Sequence, residues 1–113
     1  MTVTVQPVSV EQAAAWLEAG QAVMVDVREV DEHAAVRIEG VILAPLSRMP
    51  AALEGLDLPA DRKIIMQCAK GGRSAQVCAY LQGVGRQGQA VYNLTGGIAA
   101  WQAAGLPVVG DAV

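Results

Sequence analysis

The stretch IIMQCAKGGRSAQVCAYL, residues 64–81, contains both cysteines of the chain, Cys68 and Cys78. The apolar run at its start predicts a buried β-strand over 63–68, and the segment 73–85 after the glycines predicts an α-helix. Cys68 would then lie at the carboxyl end of a strand and Cys78 inside the following helix. A strand, a short glycine-containing loop and a helix together form the repeating unit of a parallel α/β sheet.

The rest of the chain alternates between strand-like and helix-like segments in the same way. Apolar or β-rich runs predict further strands at 2–5, 22–27, 41–44 and 89–94. Helices are predicted over 10–20, in a short segment within 28–40, in a brief segment between the prolines of 45–59, and over 96–105. We therefore expect one α/β domain over 1–113, with about five mainly parallel strands and helices on both faces of the sheet. Ser9 and Gln12 have the spacing of a helix capping box.

Composition and charge exclude several classes of protein. Hydrophobic residues make up 53% of the chain, which excludes a disordered segment. A formal net charge of −3 and few aromatic residues disfavour nucleic acid as a partner. The apolar runs are far shorter than the roughly 20 residues that cross a membrane. The first residues do not resemble a signal peptide, so we expect a cytoplasmic protein.

Cys78 shares one helix face with Ser74, Val77 and Leu81, a mostly apolar stripe, and is predicted to be a buried core thiol. A metal site is poorly supported, because the two cysteines do not have a Cys-x-x-Cys spacing. A disulfide with Cys68 is also disfavoured, because Cys78 would lie more than one helical turn from the loop. Trp101, on the last predicted helix, is likewise expected in the core.

The surroundings of Cys68 favour a reactive thiolate. Gly71 and Gly72 allow positive φ values, so that the loop can turn its backbone N–H groups inward around one atom. The helix N-terminus adds partial positive charge, and Lys70 and Arg73 add formal charge. We expect Cys68 to face solvent within this ring of amides with a lowered pKa. The alternative is a structural cysteine that ends a buried strand before a glycine turn.

Three motifs, in order, resemble those of the rhodanese-like sulfurtransferases. CAKGGRS (68–74) is similar to the Cys-x-x-Gly-x-Arg-Ser active-site loop of that family. VMVDVREVDEH (23–33) is similar to its first signature, an apolar strand followed by Asp-Val-Arg-Glu. VYNLTGGIAAWQAAGLPV (91–108) is similar to its C-terminal signature. The resemblance covers nearly the whole chain, about residues 5–109, and implies a single rhodanese domain.

The resemblance also implies an activity. Cys68 would be the nucleophile that takes a sulfane sulfur from a small anionic donor such as thiosulfate, holds it as a persulfide, and passes it to cyanide or to a thiol. That thiol could be carried by a protein, and no cofactor is implied besides the covalent persulfide. The expected substrate-binding residues are those of the loop: Ala69, Lys70, Gly71, Gly72, Arg73 and Ser74. Of these, Arg73 and Lys70 would orient the donor, and Ser74 would hydrogen-bond within the loop or cap the helix.

The first signature contributes Asp26 and Arg28, which the resemblance places in a supporting role around the loop. A plain surface salt-bridge network is equally consistent with their sequence. The chain departs from the family at His33, Arg37 and Glu39, where an aromatic, a histidine and a proline are usual. These departures put contacts at the rim of the site and substrate preference in doubt.

Loop length bears on the chemistry. Related phosphatases that act on cell-cycle kinases have five residues between cysteine and arginine, whereas four separate Cys68 from Arg73 here. The smaller loop suits a single sulfur atom better than a phosphate. Sulfur transfer is therefore favoured over phosphate hydrolysis, and a persulfide relay that serves one protein partner without general turnover remains a second alternative.

Overall fold

The computed structural model describes residues 5–56, 58–59, 61–83 and 90–110. Its strands are β1 (Gln6–Val8), β2 (Ala22–Asp26), β3 (Ile42–Leu43), β4 (Lys63–Gln67) and β5 (Val91–Leu94). Its α-helices are α1 (Val10–Glu18), α2 (Val30–Ala35), α3 (Ala51–Glu54), α4 (Gly72–Gly83) and α5 (Gly97–Ala103), and a 3₁₀ turn covers Leu46–Arg48.

The five strands form one sheet in the order β1-β5-β4-β2-β3, and every neighbouring pair is parallel. Helices α3 and α4 pack on one face, where Leu53 and Val77 join the core. Helices α1 and α5 pack on the other face, where Ala13 and Ile98 lie against the sheet. Because the sheet is covered on both sides, β4 can be a nearly continuous apolar run. The predicted α/β fold is confirmed.

Most predicted boundaries differ from the observed ones by one to three residues. The strand predicted over 2–5 is wrong at Val5, because the first strand is Gln6–Val8, and residues 2–4 lie outside the described residues. The pairing of β1 with β5 explains why the strand begins later than predicted. Val8 pairs with Leu94, and the next residue, Ser9, already caps α1. The predicted helix end at 84–85 and strand start at 89 also lie outside the described residues.

Helix capping differs between α1 and α2. Ser9 Oγ accepts the N–H of Gln12 at 3.1 Å, which is one half of the predicted capping box. The reciprocal box occurs at α2, where Glu29 is the N-cap and its own N–H donates to Glu32 Oε1 at 3.0 Å. Two acidic side chains at a helix N-terminus also suit the positive end of its dipole. This box fixes the position of Glu32.

Trp101 lies in the core as predicted, and its indole N–H donates to the carbonyl of Pro107 at 2.9 Å. That bond holds the segment after α5 against the domain, where Val109 forms an antiparallel bridge with Arg37. In the described part of the chain, none of the helices has the length and apolar content needed to cross a membrane.

Candidate active site

Cys68 follows directly after β4, at the carboxyl edge of the parallel sheet and next to its centre. The chain then turns through the loop and enters α4 at Gly72. Gly71 has a φ of +109°, a conformation that L side chains rarely adopt, so a glycine is required there. Of the two glycines expected to allow a positive φ, only Gly71 adopts one, and Gly72 does not. It begins the helix instead.

The sulfur of Cys68 has two hydrogen-bond donors within reach. The Gly71 N–H donates to it at 3.0 Å and the Ser74 hydroxyl lies 3.3 Å away. The residue is 1% exposed, so the expectation that it faces solvent is wrong. The loop closes over the sulfur rather than presenting it to solvent.

These surroundings set the acidity of the thiol. Burial by itself raises the pKa of Cys68, but the Ser74 hydroxyl and the backbone N–H groups of Ser74, Gly71 and Lys70 together outweigh it. The net pKa lies below the ordinary value for cysteine. Around Cys78 the balance is reversed, because burial outweighs the hydrogen bond of its own backbone. Its burial raises the pKa to about 12 and it packs in the apolar core, so the prediction for this residue is confirmed. Both thiols are free.

Asn93, which the sequence reasoning missed, fastens the loop from the neighbouring strand. Its Nδ2 donates to the Gly71 carbonyl at 3.1 Å, and its Oδ1 accepts from the Ser74 hydroxyl. The single hydroxyl hydrogen of Ser74 therefore has three competing acceptors: Asn93 Oδ1, the Gly71 carbonyl at 3.2 Å and Cys68 Sγ. Asn93 stands at the carboxyl end of β5, which pairs with β4, and that position was the available signal.

The start of α5 also holds the loop. Ile98 N–H donates to the Cys68 carbonyl at 2.9 Å, and Ala99 N–H donates to the Ala69 carbonyl at 3.1 Å. Gly97 allows this approach, since a Cβ built there would lie 2.3 Å from the Cys68 carbonyl oxygen. The Cys68 carbonyl also accepts a hydrogen bond from Nε2 of Gln67 at 3.0 Å, and the Gln67 side chain is fully buried. The nucleophile's backbone is thus fixed on several sides.

Arg73 lies beside the loop but is already engaged. Its two terminal nitrogens bind the two oxygens of Glu32 at 2.7 and 2.9 Å. The Arg73 hydrogen bonds hold the pKa of Glu32 at about 2, against the opposing effect of burial. The expectation of a donor-orienting arginine left this partner out. The side chain of Lys70 is exposed and has no ion-pair or hydrogen-bond partner among the described residues.

Asp26 and Arg28 form a buried pair, 0% and 3% exposed, so the surface-network alternative is wrong. Arg28 Nη2 lies 2.8 Å from Asp26 Oδ2 and also donates to the Val36 carbonyl at 2.6 Å. His33 Nδ1 lies 2.9 Å from the same Asp26 oxygen. No hydrogen bond joins this group to the Cys68 loop within the described residues. The group anchors α2, the helix that carries Glu32.

Two of the three family departures lie in the same anchor. His33 is part of the Asp26 group, and Arg37 donates to the carbonyls of His33 and Ala34 at 3.3 and 3.4 Å at the end of α2. Glu39 is exposed. In the described part of the chain, no group of three or more histidine, cysteine or acidic side chains could hold a metal ion.

Comparisons with known proteins agree with this geometry. The family model for the rhodanese-like domain matches residues 9–104. A protein of Allochromatium vinosum named sulfurtransferase is 41% identical over 88 residues, which are 76% of this chain and 77% of that protein.

Two larger proteins contain a similar segment. The probable adenylyltransferase/sulfurtransferase MoeZ of Mycobacterium tuberculosis is 40% identical over 88 residues, which are 76% of this chain but only 22% of MoeZ. The crystal structure of a thiosulfate sulfurtransferase from Pseudomonas aeruginosa superposes with a TM-score of 0.83 at 26% identity, over 94% of this chain and 20% of that one.

Proposed function

The chain belongs to the rhodanese-like sulfurtransferase family, and we propose that Cys68 is the nucleophile that carries sulfur as a persulfide. The observation that supports this role most directly is the hydrogen bonding at the sulfur. The Gly71 N–H and the Ser74 hydroxyl are both placed to donate to Cys68 Sγ. Thiolate is the attacking form of cysteine, and these donors favour it despite the burial.

The first half-reaction would use thiosulfate or a related sulfane sulfur donor. The Cys68 thiolate attacks the outer sulfur of thiosulfate, the S–S bond of the donor breaks, and sulfite leaves with the bonding electron pair. The product is a persulfide on Cys68. The backbone N–H groups that surround the thiolate would then stabilise the anionic outer sulfur in the same way that an oxyanion hole stabilises oxygen.

The second half-reaction returns the enzyme to its starting state. Cyanide or a thiolate attacks the outer sulfur, the persulfide S–S bond breaks, and the Cys68 thiolate is released. The products are thiocyanate or the persulfide of the acceptor. No net oxidation occurs, so we propose that the cycle needs no cofactor besides the covalent intermediate.

An intact-mass experiment tests the proposal. Incubation with thiosulfate, followed by removal of excess donor, should add one sulfur atom to the wild-type protein and to Cys78→Ala, but none to Cys68→Ala. Cys78 serves as the matched control because it is a buried thiol with a raised pKa of about 12. Failure of the wild type to gain sulfur from thiosulfate or from a persulfide donor would rule out the carrier role.

A relay to a protein-borne thiol is the second candidate. It is favoured by the 40% identity to a segment of MoeZ, a probable adenylyltransferase/sulfurtransferase in which this segment is a minor part of the chain. Turnover with thiosulfate and cyanide distinguishes the two, because a dedicated relay forms the persulfide but turns over negligibly with small acceptors. Cys68-dependent hydrolysis of para-nitrophenyl phosphate that exceeds sulfur transfer would instead support the disfavoured phosphatase alternative.

A further inference from the structure

The ion pair between Glu32 and Arg73 joins α2 to the first turn of α4, across 41 positions of sequence. It is bidentate, with N–O distances of 2.7 and 2.9 Å, so the flat fork of the guanidinium is already matched to a carboxylate. A sulfonate-like or thiosulfate anion would need the same fork. The loop arginine is therefore occupied before any donor arrives.

Glu32 is also held within its own helix. Glu29 N–H donates to Glu32 Oε1 at 3.0 Å in the capping box, and Arg28 ties the end of α2 through the Val36 carbonyl. An incoming anion that displaced Glu32 would break the ion pair and disturb the box. Competition for Arg73 is therefore costly for the donor.

The charges around the loop largely cancel. Arg73 is compensated by Glu32, and Arg28 is compensated by the buried Asp26. Among the described residues, Lys70 is the loop cation without an ion-pair partner, and it is exposed to screening solvent. The expectation of a strongly cationic site for a dianion is therefore not met by this arrangement.

We propose that Glu32 is a specificity-determining residue, which disfavours dianionic donors such as thiosulfate and favours sulfane sulfur donors of low charge. The inference rests on the proposed function of Cys68. For a neutral alkyl persulfide the step is balanced: the Cys68 thiolate attacks the outer sulfur, the donor S–S bond breaks, and an alkyl thiolate leaves with the electron pair. Such a donor does not need the Arg73 fork.

Single-turnover kinetics test the assignment through a ratio. Rate constants for persulfide formation are measured by quenching and intact mass, once with thiosulfate and once with an alkyl persulfide that has no other charged group. The ratio of the two cancels any change in the thiolate fraction of Cys68. Glu32→Gln should raise the thiosulfate-to-persulfide ratio about fivefold, because it frees the Arg73 charge for the dianion.

Two further readouts separate specificity from structure. The gain of Glu32→Gln with thiosulfate should fall steeply with added salt, and sulfate should protect its Cys68 from alkylation better than in the wild type. Glu11→Gln makes the same change of net charge at an exposed site on α1 and should leave the ratio unchanged. Arg73→Gln should lower the ratio, because it leaves the Glu32 charge uncompensated, and it provides a second test should Glu32→Gln fold poorly.

The outcomes are distinguishable. A wild type that takes sulfur from neither donor contradicts the proposed function itself. A wild type that takes sulfur from both, with an unchanged or lower ratio in Glu32→Gln, contradicts only the role of Glu32. An unchanged ratio in Arg73→Gln contradicts it as well.

Discussion

At the scale of single residues, the site is organised by the competition for one hydrogen. The Ser74 hydroxyl lies within reach of Cys68 Sγ, the Gly71 carbonyl and Asn93 Oδ1, and it can donate to only one acceptor at a time. A charged sulfur is the stronger acceptor, so ionisation of Cys68 should draw the hydroxyl towards it. This makes Ser74 a loop hydrogen-bond donor, the first of the two roles foreseen from the sequence.

Ser74→Ala should raise the pKa of Cys68, because the largest of the influences that oppose burial is lost. At pH values below the midpoint of the alkylation profile, the rate with iodoacetamide should fall roughly tenfold, as expected for one hydrogen bond to a charged group. Ser9→Ala is the control: it removes the α1 cap and about 1 kcal/mol of stability without moving the profile. An unshifted midpoint in Ser74→Ala would contradict the role.

At the scale of secondary-structure elements, α5 holds the active-site loop by its backbone. The N–H groups of Ile98 and Ala99 bind the carbonyls of Cys68 and Ala69 at 2.9 and 3.1 Å. First-turn N–H groups of a helix have no partner within the helix, so this use satisfies donors and loop carbonyls together. Gly97 sets how closely the two segments approach.

Gly97→Ala should therefore destabilise the domain more than an ordinary glycine substitution. Its φ of +60° is unfavourable for alanine, and the added Cβ would also lie 2.3 Å from the Cys68 carbonyl oxygen. Gly105→Ala is the matched control, since its φ is +79° but nothing lies within 4 Å of the new Cβ. In urea unfolding, Gly97→Ala should lose about 2 kcal/mol or more beyond the control. Equal losses of stability in the two variants would show that the loop can move to accommodate the new Cβ.

At the scale of the whole molecule, the site combines features that are local in sequence with others that only the fold brings together. The Cys68 loop, its position after β4 and the core role of Cys78 follow from hydrophobic patterning and glycine placement within one stretch. Glu32 and Arg73 are 41 positions apart, and Ser74 and Asn93 are 19 apart. No local pattern specifies such partners, because they depend on strand order and on the register of packed elements.

The burial of Cys68 likewise could not be predicted from the local sequence. A glycine loop at a helix start predicts inward amides, but whether the loop lies over the sulfur depends on α5 and Asn93, which approach from another part of the chain. The sequence likewise left two alternatives open for Asp26 and Arg28, a supporting pair and a surface salt-bridge network. Burial distinguishes the two, and burial depends on the tertiary structure. Asp26 and Arg28 thus anchor α2, the helix whose Glu32 binds Arg73.

The ion pair between α2 and α4 gives the molecule an acid-sensitive link. The pKa of Glu32 falls from an ordinary 4.5 to about 2 in the folded protein, chiefly through its hydrogen bonds with Arg73. A depressed carboxyl pKa contributes stability that is fully present above the unfolded value and is lost as the pH falls through the folded value. The contribution should therefore decline between pH 4.5 and pH 2.

Comparison of the wild type with Glu32→Gln checks this window, since glutamine resembles the protonated acid. In urea unfolding, the wild type should be more stable by up to about 1 kcal/mol at pH 7, because both partners are 34% exposed and solvent screens the pair. The difference should narrow steadily below pH 4.5, and Glu39→Gln, at an exposed turn outside the helices, reports the effect of net charge. A difference that stays constant down to pH 2.5 would mean that Glu32 stabilises the domain through packing and capping, with no contribution from its charge.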